Sequence, residues 1–182
     1  DYTFPLEARY VDAGFASDVW ERMVPTLLAH GTTTAVYYSS IHEEATLRLA
    51  ETCDHFGQRA FVGRVAMDHP EGTPEWYRDV DAAAGIEASS RSIDAIRSIG
   101  SALAEPIITH CSESDWEHGY VLQRYGKRDA EMLSDFGLLR RGTVLAHGDH
   151  LCDDDFGIIR SAGAGVAHCP LSNSYFANAV FP

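Results

Sequence analysis

The feature that most constrains the fold is the alternation of short apolar runs with segments of helical periodicity. Apolar runs lie at residues 32–40, 59–67, 106–109, 143–146 and 165–167, and helical segments at 16–30, 43–56, 76–99, 116–125, 129–136 and 153–161. Strands that are buried on both faces give continuous apolar runs, and strand–helix alternation is typical of βα units. The sequence therefore predicts an α/β fold with a parallel sheet, either closed as a barrel or open and doubly wound.

Local signals add detail to three of these segments. Ser17 or Asp18 is the predicted N-cap of the helix over 16–30, and Pro25 is expected to end or kink it. The helix over 76–99 is predicted to break near Gly85. The residues after His168 are polar and follow a proline, which predicts a loop at the rim of the sheet.

Composition excludes several classes of protein. The 182 residues are 45% hydrophobic and carry a net charge of −13, which argues against disorder and against nucleic acid or an anionic membrane as partner. No apolar run approaches the roughly 20 residues of a membrane helix, and the first residues lack a signal pattern. Four cysteines without a Cys-x-x-Cys pair favour reduced thiols and a cytoplasmic protein.

Three predicted strands end in histidine. His110, His147 and His168 each follow an apolar run directly. The carboxyl ends of parallel strands meet at one edge of a sheet, where ligands bind. Since histidine is the commonest metal ligand and an acid–base group near neutral pH, the repetition favours a functional site over three separate structural histidines.

Glu113 follows His110 by three positions. At a strand end that turns into a loop, the two side chains can converge, and a carboxylate beside an activated water is suited to proton transfer. The alternative is that Glu113 belongs to the acidic first turn of the next helix. His150 is predicted to close its loop, with Asp153 as the cap of the following helix. His150, His168 and Asn173 are assigned structural roles at the rim. The remaining histidines are expected at the surface: His30, His42, His55, His69 and His118.

Five stretches distributed along the chain carry a family resemblance. They read Tyr-Thr-Phe-Pro-Leu-Glu-Ala-Arg at 2–9, His-Gly-Thr-Thr-Thr at 30–34, Thr-His-Cys-Ser-Glu at 109–113, Ala-His-Gly-Asp-His-Leu at 146–151 and Ala-His-Cys-Pro-Leu-Ser-Asn at 167–173. Together they resemble the amidohydrolase superfamily in its metal-dependent aminohydrolase branch. The opening Tyr-Thr-Phe-Pro is similar to that of the members that deaminate guanine.

The resemblance implies a (β/α)8 TIM-type barrel that hydrolyses guanine to xanthine and ammonia with Zn²⁺ or Fe²⁺. His110 is then a metal ligand on the family's fifth strand. Glu113 moves a proton from the attacking water to the ring nitrogen and the leaving amine. His147, on the sixth strand, binds the metal-bound water or is a second ligand. His110, Cys111, Ser112 and Glu113 are assigned to the small-molecule purine substrate.

The resemblance also implies what this chain lacks. The family's His-x-His pair and its eighth-strand aspartate have no counterpart, and only residues 101–105 stand where the family has its fourth strand and an Arg-Phe pair. Residues 1–182 are therefore predicted to form a partial catalytic barrel domain without strands one, four and eight. Tight zinc binding is not expected from the two histidines, since catalytic zinc sites use about three protein ligands.

Two other functions remain open at this point. One is an aminohydrolase or chlorohydrolase that acts on a triazine, a pterin or an 8-oxopurine. The other is a non-catalytic barrel remnant that serves as a binding or assembly module. A homodimer is implied by the resemblance alone.

Overall fold

The chain divides into two compact units, each built around a three-stranded parallel sheet. The computed structural model describes residues 2–99, 102–103, 107–176 and 178–182. The units comprise Asp1–Glu105 and Pro106–Pro182. Strand order is β1-β2-β3 in the first unit and β4-β5-β6 in the second, with every pair parallel. The predicted α/β fold with parallel strands is confirmed.

The first unit alternates helices and strands along its whole length. Its elements are α1 (Thr3–Glu7), a 3₁₀ turn (Ala8–Val11), α2 (Ala13–Ala29), β1 (Thr34–Tyr38), α3 (Glu43–Phe56), β2 (Arg59–Gly63), a second 3₁₀ turn (Glu75–Tyr77), α4 (Ala82–Arg97) and β3 (Ala102–Leu103). Trp20 and Val24 of α2 share a buried cluster with Leu49 of α3 and Val62 of β2. The Trp20 indole N–H donates to the carbonyl of Ala45 at 3.1 Å, so this large side chain is buried with its polar atom satisfied.

Two helix predictions in this unit need correction. Helix α2 begins at Ala13, because the Asp12 carboxylate accepts hydrogen bonds from the amides of Gly14 and Phe15. Pro25 lies inside this continuous helix. Helix α4 likewise continues through Gly85, and the break lies before Ala82. A Cβ at Gly85 would lie 2.9 Å from Asp79 Oδ2, so this glycine permits a close approach within the fold.

A short strand, β3, lies in the segment between residues 100 and 106, where no strand was expected. Ala102–Leu103 pairs in parallel with β2, Ala60 opposite Ala102. The expectation of a missing fourth strand is therefore wrong at these two residues. Residues 100, 101 and 104–106, on which that expectation also fell, lie outside the described residues.

The second unit contains the segments that were singled out for function. Its elements are β4 (Ile108–Cys111), α5 (Asp115–Tyr125), α6 (Asp129–Asp135), β5 (Val144–His147), α7 (Asp153–Ala162), β6 (Gly165–Ala167) and α8 (Pro170–Phe176). Cys111 of β4 and Leu145 of β5 form a buried cluster with Leu133 and Ile159 of the helices. Because the three strands are parallel, their carboxyl ends lie at one edge of this sheet.

Two predictions for this unit are wrong in detail. Helix α8 occupies the segment that was expected to be a rim loop, with Pro170 as its first residue, where proline needs no amide hydrogen. The cap of α7 is Cys152, whose amide donates to the Asp155 carboxylate at 3.0 Å; Asp153 is already inside the helix. No helix in the described part of the chain has both the length and the apolar character that a membrane crossing requires.

Candidate functional site

The two histidines at the ends of β4 and β5 come together. In the register of the strands, His110 lies opposite Ala146 and Cys111 opposite His147. The rings of His110 and His147 stack with their centroids 5.3 Å apart. His147 is only 4% exposed. The prediction that strand-end histidines share one edge holds for this pair.

Glu113 lies in the turn between β4 and α5. The helix begins at Asp115 with Ser114 as its N-cap, so Glu113 precedes the helix and the alternative reading of it as a first-turn residue is wrong. Ser112 adopts φ +54°, which bends the chain sharply after β4. The bend brings Glu113 Oε1 to 3.5 Å from His147 Nε2.

His110, Glu113 and His147 form one group of donor atoms. One ligand atom from each lies within 4.8 Å of the other two. Burial lowers the pKa of His110, so its imidazole is neutral near pH 7 and suited to metal ligation. Two imidazole nitrogens and a carboxylate oxygen are ligands that zinc and iron accept. The residues present therefore fit a divalent metal.

The turn after β5 has a strained backbone. His147 adopts φ +73° and Gly148 φ +78°. A non-glycine residue in this region costs about 1–3 kcal/mol and persists only where its surroundings fix it. Here the amide of Gly148 donates to the carbonyl of Cys111 at 2.9 Å, and the amide of Asp149 donates to that of Ser112 at 2.9 Å. These bonds hold the end of β5 against the end of β4.

A second group of polar residues supports the loop that carries Glu113. Asp129 Oδ2 accepts a hydrogen bond from the Ser112 hydroxyl at 2.8 Å and lies 2.8 Å from His118 Nδ1. Glu117 Oε2 accepts the backbone N–H of Glu113 at 2.7 Å. Burial raises the pKa of Glu117. Both ends of the short Ser112–Glu113 segment are therefore fixed by carboxyl groups, one buried (Asp129) and one half-buried (Glu117).

Cys111 and Ser112 are engaged within the protein. Both are buried, the Cys111 thiol among core side chains and the Ser112 hydroxyl on Asp129. Burial raises the pKa of Cys111 to about 12, so the thiol stays protonated. Their side chains hold the loop in place, and the geometry gives no support to the predicted contact of these side chains with substrate.

The residues assigned to the rim have different surroundings. His150 stacks on His118 with centroids 5.2 Å apart, and its Nε2 lies 3.3 Å from Asp115 Oδ1. His168 is exposed, with its ring 4.9 Å from that of Phe181, and is not part of the group of donor atoms. Asn173 is buried, and its Oδ1 lies 2.8 Å from His147 Nδ1.

Sequence reasoning missed Glu117, His118 and Asp129. The helical spacing of Glu113 and Glu117 was a usable signal, but the acidic residues near the start of α5 were interpreted only through the helix dipole. His118 was expected at the surface, and it is half-buried against Asp129. His42, also expected at the surface, is half-buried with an unpartnered Nε2. Nothing in the sequence around Asp129 indicates its role.

Comparison with known proteins adds an independent finding. The family model described as "Amidohydrolase family" matches residues 2–182. Guanine deaminase of Dictyostelium discoideum is 32% identical over 202 residues, which cover 94% of this chain and 44% of that protein. The chain thus spans less than half the length of this curated relative.

Solved structures show the same fold. A guanine deaminase from C. acetobutylicum, with guanine bound in its active site, matches with a TM-score of 0.86 at 22% identity, over 100% of this chain and 50% of that one. An adenosine deaminase from Xanthomonas campestris with bound zinc matches with a TM-score of 0.78 at 21% identity, over 96% of this chain and 44% of that one.

Proposed function

The chain belongs to the amidohydrolase family, and we propose that it supplies part of the active site of a metal-dependent deaminase that converts guanine and water to xanthine and ammonia. The observation that carries this proposal is the convergence of His110, Glu113 and His147 at the carboxyl edge of one parallel sheet. The similarity to guanine deaminases supports the choice of substrate.

His110 and His147 are the residues that would hold the metal. Zn²⁺ is the proposed ion, supported by the donor set and by the zinc bound in the X. campestris relative, and Fe²⁺ accepts the same ligands. When bound, such a metal acts as a Lewis acid and makes hydroxide available near neutral pH. Further ligands are expected from elsewhere in the full-length protein, since a catalytic zinc usually has about three.

Glu113 is the proposed proton carrier. Its carboxylate takes one proton from the attacking water while the water oxygen bonds to the ring carbon that bears the amine. It then delivers that proton to the adjacent ring nitrogen. In the second step Glu113 moves the proton of the new hydroxyl group to the exocyclic nitrogen, the carbon–oxygen double bond forms, the carbon–nitrogen bond breaks and ammonia leaves. The 3.5 Å from Glu113 Oε1 to His147 Nε2 places this carboxylate beside the proposed metal ligands.

Cys111 and Ser112 have a supporting role in this proposal. They set the sharp turn at the end of β4, and the Ser112–Asp129 hydrogen bond keeps Glu113 outside helix α5. The purine is proposed to lie beside His110 and Glu113, the two least buried members of the site. A site whose geometry is set before substrate binds loses less entropy when the reaction begins.

Several broader predictions accompany the proposed activity. The fold is proposed to be a (β/α)8 barrel of the amidohydrolase kind, of which residues 1–182 supply part, supported by the TM-score of 0.86. A cytoplasmic location is supported by the unpaired cysteines. The net charge of −13 supports a small-molecule partner over nucleic acid or an anionic membrane. The homodimer stays a prediction from the resemblance.

The test is turnover of guanine by the full-length protein. We expect Glu113→Gln to lower kcat by about 10²–10⁴-fold, because the amide keeps the shape of the side chain and cannot carry a proton. Xanthine formation is followed by absorbance, with ammonia measured separately. Glu87→Gln on α4 is the matched control, since this glutamate is 75% exposed and its ion pair with Arg91 contributes little.

Normal turnover by Glu113→Gln would overturn the role of Glu113. A panel of guanine, a pterin, a triazine and an 8-oxopurine tests the substrate, and preference for any ring other than guanine would overturn that assignment. Absence of both metal and turnover in the purified protein would favour the non-catalytic module.

A further inference from the structure

We propose that Asp149 and Asn173 are positioning residues that fix the single proton of neutral His147 on Nδ1. The three side chains form a chain of hydrogen bonds. Asn173 Nδ2 donates to Asp149 Oδ1 at 2.6 Å, and Asn173 Oδ1 lies 2.8 Å from His147 Nδ1. The consequence is that His147 Nε2 presents a lone pair towards Glu113 and His110.

The donor and acceptor at each hydrogen bond in this series follow from the chemistry of Asp149. An ionised carboxylate only accepts hydrogen bonds, so the Asn173 atom that faces Asp149 is the amide nitrogen. The other amide atom, the oxygen, then faces His147. Since that oxygen also only accepts, the hydrogen between it and His147 belongs to Nδ1. The carboxylate therefore determines the tautomer of a histidine that it does not touch.

Burial strongly favours this orientation of the Asn173 amide over the reverse one. His147, Asp149 and Asn173 are 4%, 5% and 6% exposed, so little water competes for their polar atoms. A rotation of the Asn173 amide by 180° would set its oxygen against the Asp149 carboxylate. Such an arrangement loses the Asn173–Asp149 hydrogen bond and places two acceptors in contact, where little water reaches either of them.

The two supporting residues are themselves held by the backbone. Asp149 follows Gly148, and its amide donates to the carbonyl of Ser112. Asn173 lies within α8, and its carbonyl accepts from the amide of Asn178 at 2.9 Å. The side chain of Asn173 was assigned from sequence to the rim, whereas its position in the structure links α8 to the end of β5.

The far side of the His147 ring explains what the fixed tautomer does. Nε2 lies 3.5 Å from Glu113 Oε1, beyond a good direct hydrogen bond. When the proton of His147 is on Nδ1, Nε2 is a hydrogen-bond acceptor that faces the Glu113 carboxylate. A cation or a hydrogen-bond donor between Nε2 and Oε1 would therefore interact favourably with both atoms. The tautomer itself is independent of the proposed function; its importance for turnover rests on that proposal.

The tautomer can be read directly by NMR. Full-length protein is labelled with ¹⁵N at histidine, freed of metal and measured at about pH 8, where ordinary imidazoles are neutral. The resonances of His147 are assigned from their loss in His147→Gln. We expect a protonated-type shift at Nδ1 and an unprotonated-type shift at Nε2. A proton on Nε2 in the wild-type protein would overturn the inference.

Two variants test the supporting residues. Asp149→Leu leaves the Asn173 amide free to rotate, and Asn173→Leu removes the acceptor from Nδ1. In each, we expect the Nε2–H form to be populated beside the Nδ1–H form. Asp154→Asn, an exposed carboxylate in the first turn of α7, is the control and should leave the spectrum unchanged. An unchanged tautomer in both leucine variants would overturn the inference, and the wild-type spectrum tests it even where a variant does not fold.

Zinc affinity provides a second readout. We expect Asn173→Leu to weaken Zn²⁺ binding roughly 10–100-fold, the usual cost of removing a partner of a ligating histidine. Competition with a chromophoric chelator measures this without substrate. A wild-type proton on Nδ1 supports the inference even if guanine turnover fails, so the failure of one proposal is distinguishable from the failure of the other. Unchanged zinc affinity in Asn173→Leu would overturn the link to the metal.

Discussion

At the scale of single residues, the turn of His147 and Gly148 places a strained backbone conformation within the candidate metal site. Two successive residues have φ of +73° and +78°, and only the second is a glycine. His147 adopts an unfavourable backbone conformation, and its ring stacks on that of His110. Such conformations cluster at functional sites because the surrounding structure supports their cost.

Gly148→Ala tests this turn. A Cβ at residue 148 would lie 2.8 Å from Leu151 Cδ1 and 3.0 Å from Val166 Cγ1, in addition to the strained φ. We expect the free energy of unfolding to fall by roughly 2–4 kcal/mol, from backbone strain and overpacking together. Urea denaturation measures the change.

Gly137→Ala is the matched control, because φ is +70° there and no atom lies within 4 Å of the added Cβ. It should cost only about 1–2 kcal/mol of backbone strain. Equal losses in the two variants would show that the contacts around Gly148 contribute nothing.

Some residues of the site could be predicted from the sequence and others could not. His110 and Glu113 were found because a strand end and a short spacing sufficed to place them together. Asp129 was missed because its partner, the Ser112 hydroxyl, becomes a partner only when α6 packs beside β4. A hydrogen bond across 17 residues leaves no periodic signal in the sequence.

At the scale of secondary structure elements, the long helix α2 illustrates how a cap decides where an element begins. Ser17 or Asp18 was the predicted N-cap, and Asp12 is the observed one. Both positions offer a suitable side chain. The 3₁₀ turn over Ala8–Val11 leads into Asp12 with extended backbone, which is the conformation that a cap requires.

Asp12→Ala and Asp18→Ala distinguish the two positions. We expect Asp12→Ala to lower the free energy of unfolding by about 1 kcal/mol, because two amide donors lose their acceptor. Asp18→Ala, in the helix interior, should change it by less than about 0.5 kcal/mol. Thermal and urea denaturation of both variants measure the difference, and a larger loss at Asp18 would contradict the observed cap.

Helices α2 and α4 show why proline and glycine were over-interpreted. Pro25 lacks one amide hydrogen, and packing of Trp20 and Val24 in the core stabilises the helix through it. Gly85 is retained within α4 because Asp79 lies too close for a side chain. Both helices therefore continue through these residues because of tertiary neighbours, which the local sequence does not show.

At the scale of the whole molecule, stability is expected to depend on pH through the half-buried His42. Burial, and then the nearby Arg64 guanidinium, lower the pKa of His42. Below the unfolded pKa of about 6.5, the unfolded chain binds this proton more readily than the folded protein. The free energy of unfolding therefore falls as the pH decreases below about 6.5. Above that pH the contribution of neutral His42 to stability is fully present.

His42→Gln should flatten this dependence between about pH 7.5 and pH 5.5. The expected change is at most about 1.4 kcal/mol per pH unit, the limit for one proton. His30→Gln, at an exposed position, is the control. Urea denaturation at both pH values gives the two slopes, and equal slopes in His42→Gln and wild type would show that His42 carries none of the effect.

Periodicity and short spacing, which are local properties of the chain, predicted the α/β class, the parallel strands and the placement of histidines at strand ends. The family was predicted from the resemblance of five sequence stretches to the amidohydrolase superfamily. Tertiary structure alone decided that His168 lies apart from the donor group, that α8 is a helix, and that Asn173 connects Asp149 to His147. The last of these depends on side chains that meet across 24 and 26 residues, and such contacts form only when the strands and helices pack.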